Sequence, residues 1–494
     1  MKFSKNLFFK EKKIELKLSN LVYKKNNLFI FGFPQIANFS RINKYNIKKE
    51  YKNISGYFFI LLINKNSIEF YTDIVSNYRV YFMFDKNKLS IFDDNHLQNY
   101  SKKSVLEKNY FNFFKEKNYT PGDKTFFKNI YKFQPSTHYY FDQKLQIKRK
   151  ILFPNLKNQP NIKKCKTKIK KYFQNVINKI KNEKIVLLFS GGLDSYFLYK
   201  TLKENKIKFR CAYFYTHPAS YETEKNLQKV KLICKNDKKK LDLVKINLKD
   251  LQSTQNFIKK KMLFNYHFSL LFYKGIEYLK KKYGKDILII SGQSCDSILS
   301  FGPSQNTIPN FFARYLINYP FSLFSKLIPH ILNLKFKLKL TNPKNLKEFY
   351  SSFFKSFYYY PLNYPSNFKK YSFFRGLFKD IKFINNRYSK LMFLKCYGFL
   401  QGPDNMVMIK SANYHKINKI FLPFASYEFI SIILKYYNFQ KDVFFPKYIL
   451  KSLCKEYDKF EKRKIKFDVY LAPIDLKMKN NYIKYLKKNY EIEN

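Results

Sequence analysis

The run Ile185-Val186-Leu187-Leu188-Phe189-Ser190-Gly191-Gly192-Leu193-Asp194-Ser195 carries most of the information in this chain of 494 residues. Five apolar residues read as a buried strand, two glycines follow, and Tyr196 to Leu202 reads as a helix. A Gly-Gly turn between strand and helix lets the backbone fold sharply and brings bare N–H groups against an anion, with the helix N-terminus adding its partial positive charge. Ser190 and Ser195 can donate hydroxyls to phosphate. Asp194 would be repelled by phosphate unless a Mg²⁺ ion lay between them, which makes it a candidate metal ligand. The loop is not of the Walker type, because no G-x-x-x-x-G-K-[ST] occurs in the sequence.

Outward from this loop the pattern is that of a parallel sheet covered on both faces. Apolar runs at Phe209 to Tyr215, Asp242 to Ile246 and Ile287 to Ser291 alternate with helical stretches from Glu222 and around residues 254–282. From 305 to 440 the chain reads as helices rich in Phe and Tyr and broken by prolines. Upstream the texture differs: Leu28 to Phe33, Gly56 to Asn64, Ser67 to Thr72, Arg79 to Phe84 and Thr137 to Asp142 read as short strands. Pro154 and Pro160 mark a linker, and Ile162 to Lys181 reads as the helix that opens the second half. The expected organisation is a β-rich domain over 1–157 and an α/β domain over 158–494, since the chain is too long for one core.

Composition narrows the function classes. A hydrophobic fraction of 45% with 20% aromatics and no Trp suits a globular chain. The formal charge of +60 would ordinarily point to a polyanion. Lys outnumbers Arg about tenfold, however, and the excess accompanies Asn, Ile, Phe and Tyr throughout the chain. Arg is the residue that phosphate and base recognition favour. The excess therefore reads as a solvated Lys surface, and no nucleic acid partner is expected. Cys165, Cys211, Cys234, Cys295, Cys396 and Cys454 form no C-x-x-C pair, which argues against a disulfide framework or a zinc finger. The N-terminus lacks an apolar signal region, and uncharged stretches fall short of the roughly 18 residues that a membrane span needs. A cytoplasmic location without a membrane span is expected.

The string Ser190-Gly191-Gly192-Leu193-Asp194-Ser195 resembles the signature of the PP-loop ATP pyrophosphatases, in the form found in the asparagine-synthase family. Downstream, Ser291-Gly292-Gln293-Ser294-Cys295-Asp296 is similar to that family's S-G-E-G-x-D-E. Lys447-Tyr448-Ile449-Leu450-Lys451 and Lys462-Arg463-Lys464-Ile465-Lys466-Phe467 are similar to its K-Y-x-L-(K/R) and R-x-K-x-G-F. In the first half, Gly56-Tyr57-Phe58-Phe59, Thr72-Asp73 and Val80-Tyr81-Phe82 resemble the family's class II amidotransferase-like α+β sandwich.

The resemblance implies a doubly wound parallel-sheet domain with a helical C-terminal extension, and ATP and Mg²⁺ as cofactors. It implies that a small carboxylate attacks the α-phosphate of ATP, after which ammonia or another amine displaces AMP. Phe189, Ser190, Gly191, Gly192, Leu193, Asp194, Ser195, Ser291 and Gly292 would hold the nucleotide. Asp194 and Asp296 would share Mg²⁺, and Lys464 would reach the phosphates as a catalytic cation. A homodimer is compatible with this reading.

The departures from the pattern carry information too. Glutaminase activity in the family needs an N-terminal Cys nucleophile, whereas residue 2 is Lys and the first cysteine is Cys165. Gln293 stands where the family has a Glu, and an amide cannot take a proton. Leu422-Pro423-Phe424-Ala425-Ser426 lacks the Arg and Asp of the family's R-x-P-F-L-D. The adenylating half is expected to be kept and the acceptor half altered. The alternatives are a β-lactam-synthetase-like or peptide-cyclising enzyme using an internal amine, or a non-catalytic interaction module. A pocket of Tyr and Phe from 350 to 400 would favour a substrate larger than aspartate.

Overall fold

The strand β5 (Ser55–Ile63), Ser-Gly-Tyr-Phe-Phe-Ile-Leu-Leu-Ile, is buried along its whole length, so both of its faces must be covered. Because side chains alternate across a strand, Tyr57, Phe59, Leu61 and Ile63 join one core while Phe58, Ile60 and Leu62 join another. In the computed structural model, which describes residues 3–9, 12–35, 42–43, 45–102, 104–117, 120, 122–217, 221–247, 269–301, 308–328, 381–398, 406–460 and 472–492, this partition organises the first half of the chain.

β5 lies inside a six-stranded sheet with β3 (Leu21–Lys25), β4 (Leu28–Gln35), β6 (Ser67–Thr72), β10 (Thr137–Asp142) and β11 (Ile147–Ile151), ordered β11-β10-β6-β5-β4-β3. A second sheet, β1-β2-β8-β7-β9, consists of β1 (Phe3–Phe9), β2 (Lys12–Leu18), β7 (Val80–Asp85), β8 (Lys88–Asp93) and β9 (Ile130–Lys132). Aromatic rings interlock between the sheets: Phe133 lies 5.2 Å from Phe59 and 5.0 Å from Phe82, both edge-on.

Five of these strands match runs read from the sequence, whereas β1, β2, β3, β8, β9 and β11 do not. β2 shows why. Its sequence, Lys-Lys-Ile-Glu-Leu-Lys-Leu, looks like a solvated segment, yet Ile14, Leu16 and Leu18 point inward while Lys17 pairs with Glu15 at 2.8 Å on the other face.

The second half is built on a parallel sheet of β12 (Lys184–Leu188), β13 (Phe209–His217), β14 (Leu241–Asn247), β15 (Ile287–Ser291) and β16 (Lys419–Phe421), ordered β14-β13-β12-β15-β16. The three-residue β16 was not expected. Adjacent residues of β13 show both faces covered. The Tyr213 hydroxyl donates to Thr223 O of the Tyr221–Asn236 helix at 3.3 Å. Phe214 packs on Gly275 of the Ser269–Tyr283 helix, so closely that a Cβ there would lie 2.3 Å from the ring. The chain therefore forms a mixed α/β protein with several sheets, one of them parallel.

The proline-containing stretch 152–161 has no regular structure but is pinned down. Asn158 Nδ2 donates to Leu434 O at 2.8 Å, and Asn161 caps the Ile162–Ile180 helix by accepting from Lys164 N. Direct bonds join the two halves, among them Tyr57 OH to Asn418 O at 2.7 Å and Gln134 Nε2 to Tyr397 OH at 2.8 Å. Among the described residues, the regular elements beyond β15 are helices apart from β16, up to the Ala472–Asn489 helix. Residues 350–380 of the expected aromatic pocket lie outside the described residues. No helix among the described residues is long and apolar enough to cross a membrane.

Candidate functional site

From β12 the chain proceeds outward to β13 and then β14, whereas β15 returns to the opposite side of β12. The carboxyl ends of β12 and β15 therefore flank the point where the strand order reverses, the place where open parallel sheets form a ligand crevice. Ser190-Gly191-Gly192 leaves β12 there and enters the Leu193–Glu204 helix, with Asp194 in its first turn. Ser291-Gly292-Gln293-Ser294 leaves β15 and enters the Cys295–Leu299 helix, which carries Asp296.

Several contacts fix the first loop. Gly191 has φ +75°, a left-handed conformation that a Cβ would strain, and a Cβ would also meet Val230 Cγ2 at 3.0 Å. The Tyr457 hydroxyl donates to Gly191 O at 2.9 Å, and Lys229 Nζ reaches that hydroxyl at 3.3 Å. Ser195 Oγ donates to Gly192 O at 2.9 Å and lies 3.1 Å from Ser190 Oγ. Phe189 extends the ladder of β12 through its N–H to Ala212 O at 2.9 Å and stacks on Tyr199. Leu193 is buried beneath the loop.

The second loop touches the first through bare backbone. A Cβ on Gly292 would lie 3.1 Å from both the carbonyl carbon of Asp194 and the amide nitrogen of Ser195, so the absence of a side chain sets the approach of the two loops. Gln293 N donates to Ser291 Oγ at 3.2 Å, and Ser294 turns the chain at φ +71°. A cleft of about 280 Å³ opens over both loops, bordered by Phe189, Asp194, Tyr213, Phe214, Gly292 and Asp296.

The carboxylates of Asp194 and Asp296 meet on one cation, and that cation is Lys447. Its Nζ lies 2.8 Å from both carboxylate oxygens of Asp194 and also contacts Asp296 Oδ1. The side chains of Lys447 and Asp194 are 11% and 16% exposed, while that of Asp296 is 48% exposed. Burial opposes the charge on Lys447, but the two carboxylates outweigh it and hold the ammonium charged, its pKa well above the usual value.

Two acids against one base leave an excess negative charge. Burial pushes Asp194 above the ordinary carboxylate range, Lys447 pulls it down and Asp296 pushes it up again. Shifts in opposite senses would be expected of a one-to-one ion pair. Both partners here shift upward because at Asp194 burial outweighs the pull of Lys447, with the neighbouring Asp296 adding to the rise. Beside them, burial keeps the Cys295 thiol protonated, and it hydrogen-bonds to Asp194.

The site thus brings together Phe189, Ser190, Gly191, Gly192, Leu193, Asp194, Ser195, Ser291, Gly292 and Asp296. Lys464 lies outside the described residues. The cation observed at the carboxylates is instead Lys447, the first residue of the quoted Lys447-Tyr448-Ile449-Leu450-Lys451 stretch, which sequence reasoning did not single out. Among 95 Lys and Arg residues, the similarity of this stretch to K-Y-x-L-(K/R) is the linear signal that points to it, and the preceding Phe445-Pro446 marks a break in the helices.

Among the described residues, no group of three or more His, Cys, Asp and Glu could hold a metal ion. Two carboxylates that already grip one cation nevertheless fit a hard divalent ion that draws its other ligands from water and phosphate.

No family model matches the chain, and no curated protein matches it. Among solved structures, the glutamine-dependent NAD+ synthetase from Acinetobacter baumannii in complex with adenosine diphosphate is similar at 8% identity and a TM-score of 0.21, over 41% of this chain and 41% of that one. The NH3-dependent NAD synthetase from Campylobacter jejuni subsp. jejuni NCTC 11168 in complex with the nitrate ion gives 15% identity and a TM-score of 0.20, over 48% of this chain and 93% of that one. The chain spans about two fifths of the length of the first of these. Overlaps this slight carry neither the fold nor the chemistry, which rest on the geometry above.

Proposed function

We propose that this chain is an ATP-dependent, AMP- and pyrophosphate-forming carbon–nitrogen ligase of the asparagine-synthase kind, with residues 158–494 as the adenylating part and 1–157 as an amidotransferase-like part without glutaminase activity. The observation that carries the reading is the convergence of Asp194 and Asp296, from the loops after β12 and β15, on a single cation beside Ser190–Ser195. Two acids held this close repel each other and a polyphosphate unless positive charge is shared between them. Their presence together at the crevice therefore speaks for a cation-dependent anion site and against a non-catalytic module.

In this reading the loop amides, with Ser190 and Ser195, hold the β- and γ-phosphates at the start of the Leu193–Glu204 helix. Mg²⁺, held by Asp194 and Asp296, would neutralise charge on the departing pyrophosphate. An oxygen of the substrate carboxylate forms a bond to the α-phosphorus of ATP as the bond to the pyrophosphate oxygen breaks, and an amine then attacks the acyl carbon and AMP leaves. Lys447 supplies a second positive charge to the same phosphates. Gln293 borders the cleft where a carboxylate base would be useful, and as an amide it cannot accept the amine's proton. The nitrogen donor in this reading is ammonia or an amine that arrives already neutral, and the proton it loses on forming the amide passes to water or to the departing AMP phosphate.

The deciding experiment is exchange of [³²P]pyrophosphate into ATP in the presence of a panel of carboxylic acids, aspartate and longer aromatic acids included. Exchange that depends on one of the acids supports adenylation. Absence of exchange with all of them, in protein shown to be folded, removes the reading.

A further inference from the structure

The ammonium of Lys447 occupies the place between Asp194 and Asp296 that the proposed function assigns to a divalent ion. Its position is built rather than incidental. Lys447 has φ +57°, a left-handed conformation that costs a residue with a side chain roughly 1–2 kcal/mol. Its own N–H is held by Asp442 Oδ1 at 2.7 Å, and Asp442 is itself buried and bonded to the Tyr437 hydroxyl. The Tyr448–Leu453 helix that follows packs against the Leu193–Glu204 helix, so Lys447 and Asp194 are fixed on two touching elements.

We infer that Lys447 is a tethered counter-cation that keeps Asp194 and Asp296 from binding a divalent ion until the phosphates of the nucleotide arrive. A charge tethered in this way competes at an effective concentration in the millimolar range, comparable with free Mg²⁺ in solution. Displacing it by metal alone would leave a buried ammonium without a counter-ion, which is costly. Phosphate oxygens remove that cost by taking Lys447 over as the metal takes the carboxylates. Metal and nucleotide therefore bind as a pair, with strong positive coupling set by one side chain. The inference rests on the proposed function, since it presumes that the crevice takes a metal–nucleotide complex.

The test is titration of the full chain with Mn²⁺, with free Mn²⁺ read by electron paramagnetic resonance, in the absence and presence of α,β-methylene-ATP. The wild type is expected to bind Mn²⁺ alone at least about tenfold more weakly than with the analogue. Lys447→Met is expected to bind Mn²⁺ alone about tenfold more tightly than the wild type, or about 1.4 kcal/mol, and to lose most of the coupling. Lys447→Arg keeps the charge and should stay close to the wild type.

Nucleotide-dependent Mn²⁺ binding that Lys447→Met leaves unchanged overturns the inference and leaves the proposed function standing. No Mn²⁺ binding to the wild type even with the analogue overturns both. Should Lys447→Met fail to fold, the wild type decides: equal Mn²⁺ affinity with and without the analogue overturns the inference.

Discussion

The Lys447 ammonium lies 2.8 Å from both carboxylate oxygens of Asp194, across 253 residues of sequence. One charged group thereby ties the loop after the central strand to a helix near the other end of the chain. Asp296 joins the same ammonium from the neighbouring loop, so each acid owes its place in part to the other's cation.

Replacing Asp194 by Asn removes half of the carboxylate pair at nearly constant volume. ATP–pyrophosphate exchange should fall by at least about 100-fold, on the order of 3 kcal/mol of transition-state stabilisation. The fold should persist, because an amide can still accept from Lys447. Exchange at wild-type rates in Asp194→Asn would separate the carboxylate from the chemistry.

Gly292 offers a test of loop spacing without altering any charge. A Cβ there would press on the backbone of Asp194 and Ser195 at 3.1 Å, and backbone cannot rotate out of the way. Gly292→Ala should push the two loops apart by a few tenths of an ångström and lower exchange at least about tenfold, since small misplacements of reacting groups are costly. The melting temperature should drop by only a few degrees, for a strain of about 1 kcal/mol. Undiminished exchange would mean that the contact does not set the geometry of the site.

The parallel sheet was legible because its strands are buried on both faces and read as continuous apolar runs, as in Ile185 to Phe189 and Ile287 to Ser291. The crevice was legible because glycines and serines follow two of these runs directly. β2 escaped notice because its outward positions carry Lys and Glu, so that three inward apolar residues had to carry the signal alone, and β8 because Lys88 and Ser90 break its apolar run although Ser90 is itself buried. β16 is too short to show any period. The motif beginning at Lys447 was legible, but its pairing with Asp194 was not, because that contact depends on a helix packing that joins residues 253 apart.

Tyr457 controls the first loop from beneath. Its hydroxyl donates to Gly191 O at 2.9 Å, and its ring packs 5.2 Å from that of Tyr196. Tyr457→Phe keeps the ring and removes the bond, worth about 1 kcal/mol. The KM for ATP in the exchange reaction should rise about fivefold with the maximal rate little changed, because the loss falls on nucleotide binding. A fall in maximal rate at constant KM would place Tyr457 in the chemistry instead.

His415 should make the protein sensitive to acid. Burial lowers its pKa from 6.5 to about 4, and the ring Nε2 lies 3.1 Å from Tyr273 O, which receives the N–H of the neutral imidazole. The folded state therefore resists a proton that the unfolded chain accepts below pH 6.5. The unfolded state binds more protons between pH 6.5 and 4, so this contribution to stability is fully present above pH 6.5 and is lost as the pH falls toward 4. By linkage the loss is at most about 3 kcal/mol. Asp73 and Asp442, raised by burial to about 6, act in the opposite sense over the same range, so the wild-type curve alone mixes the two effects. The difference between wild type and His415→Gln isolates the histidine. The variant should be the less stable near pH 7, where its amide replaces a well-fitted ring, and the gap should close or reverse by pH 4.5. Urea unfolding at four pH values measures it, and a gap independent of pH would show that His415 titrates alike in both states.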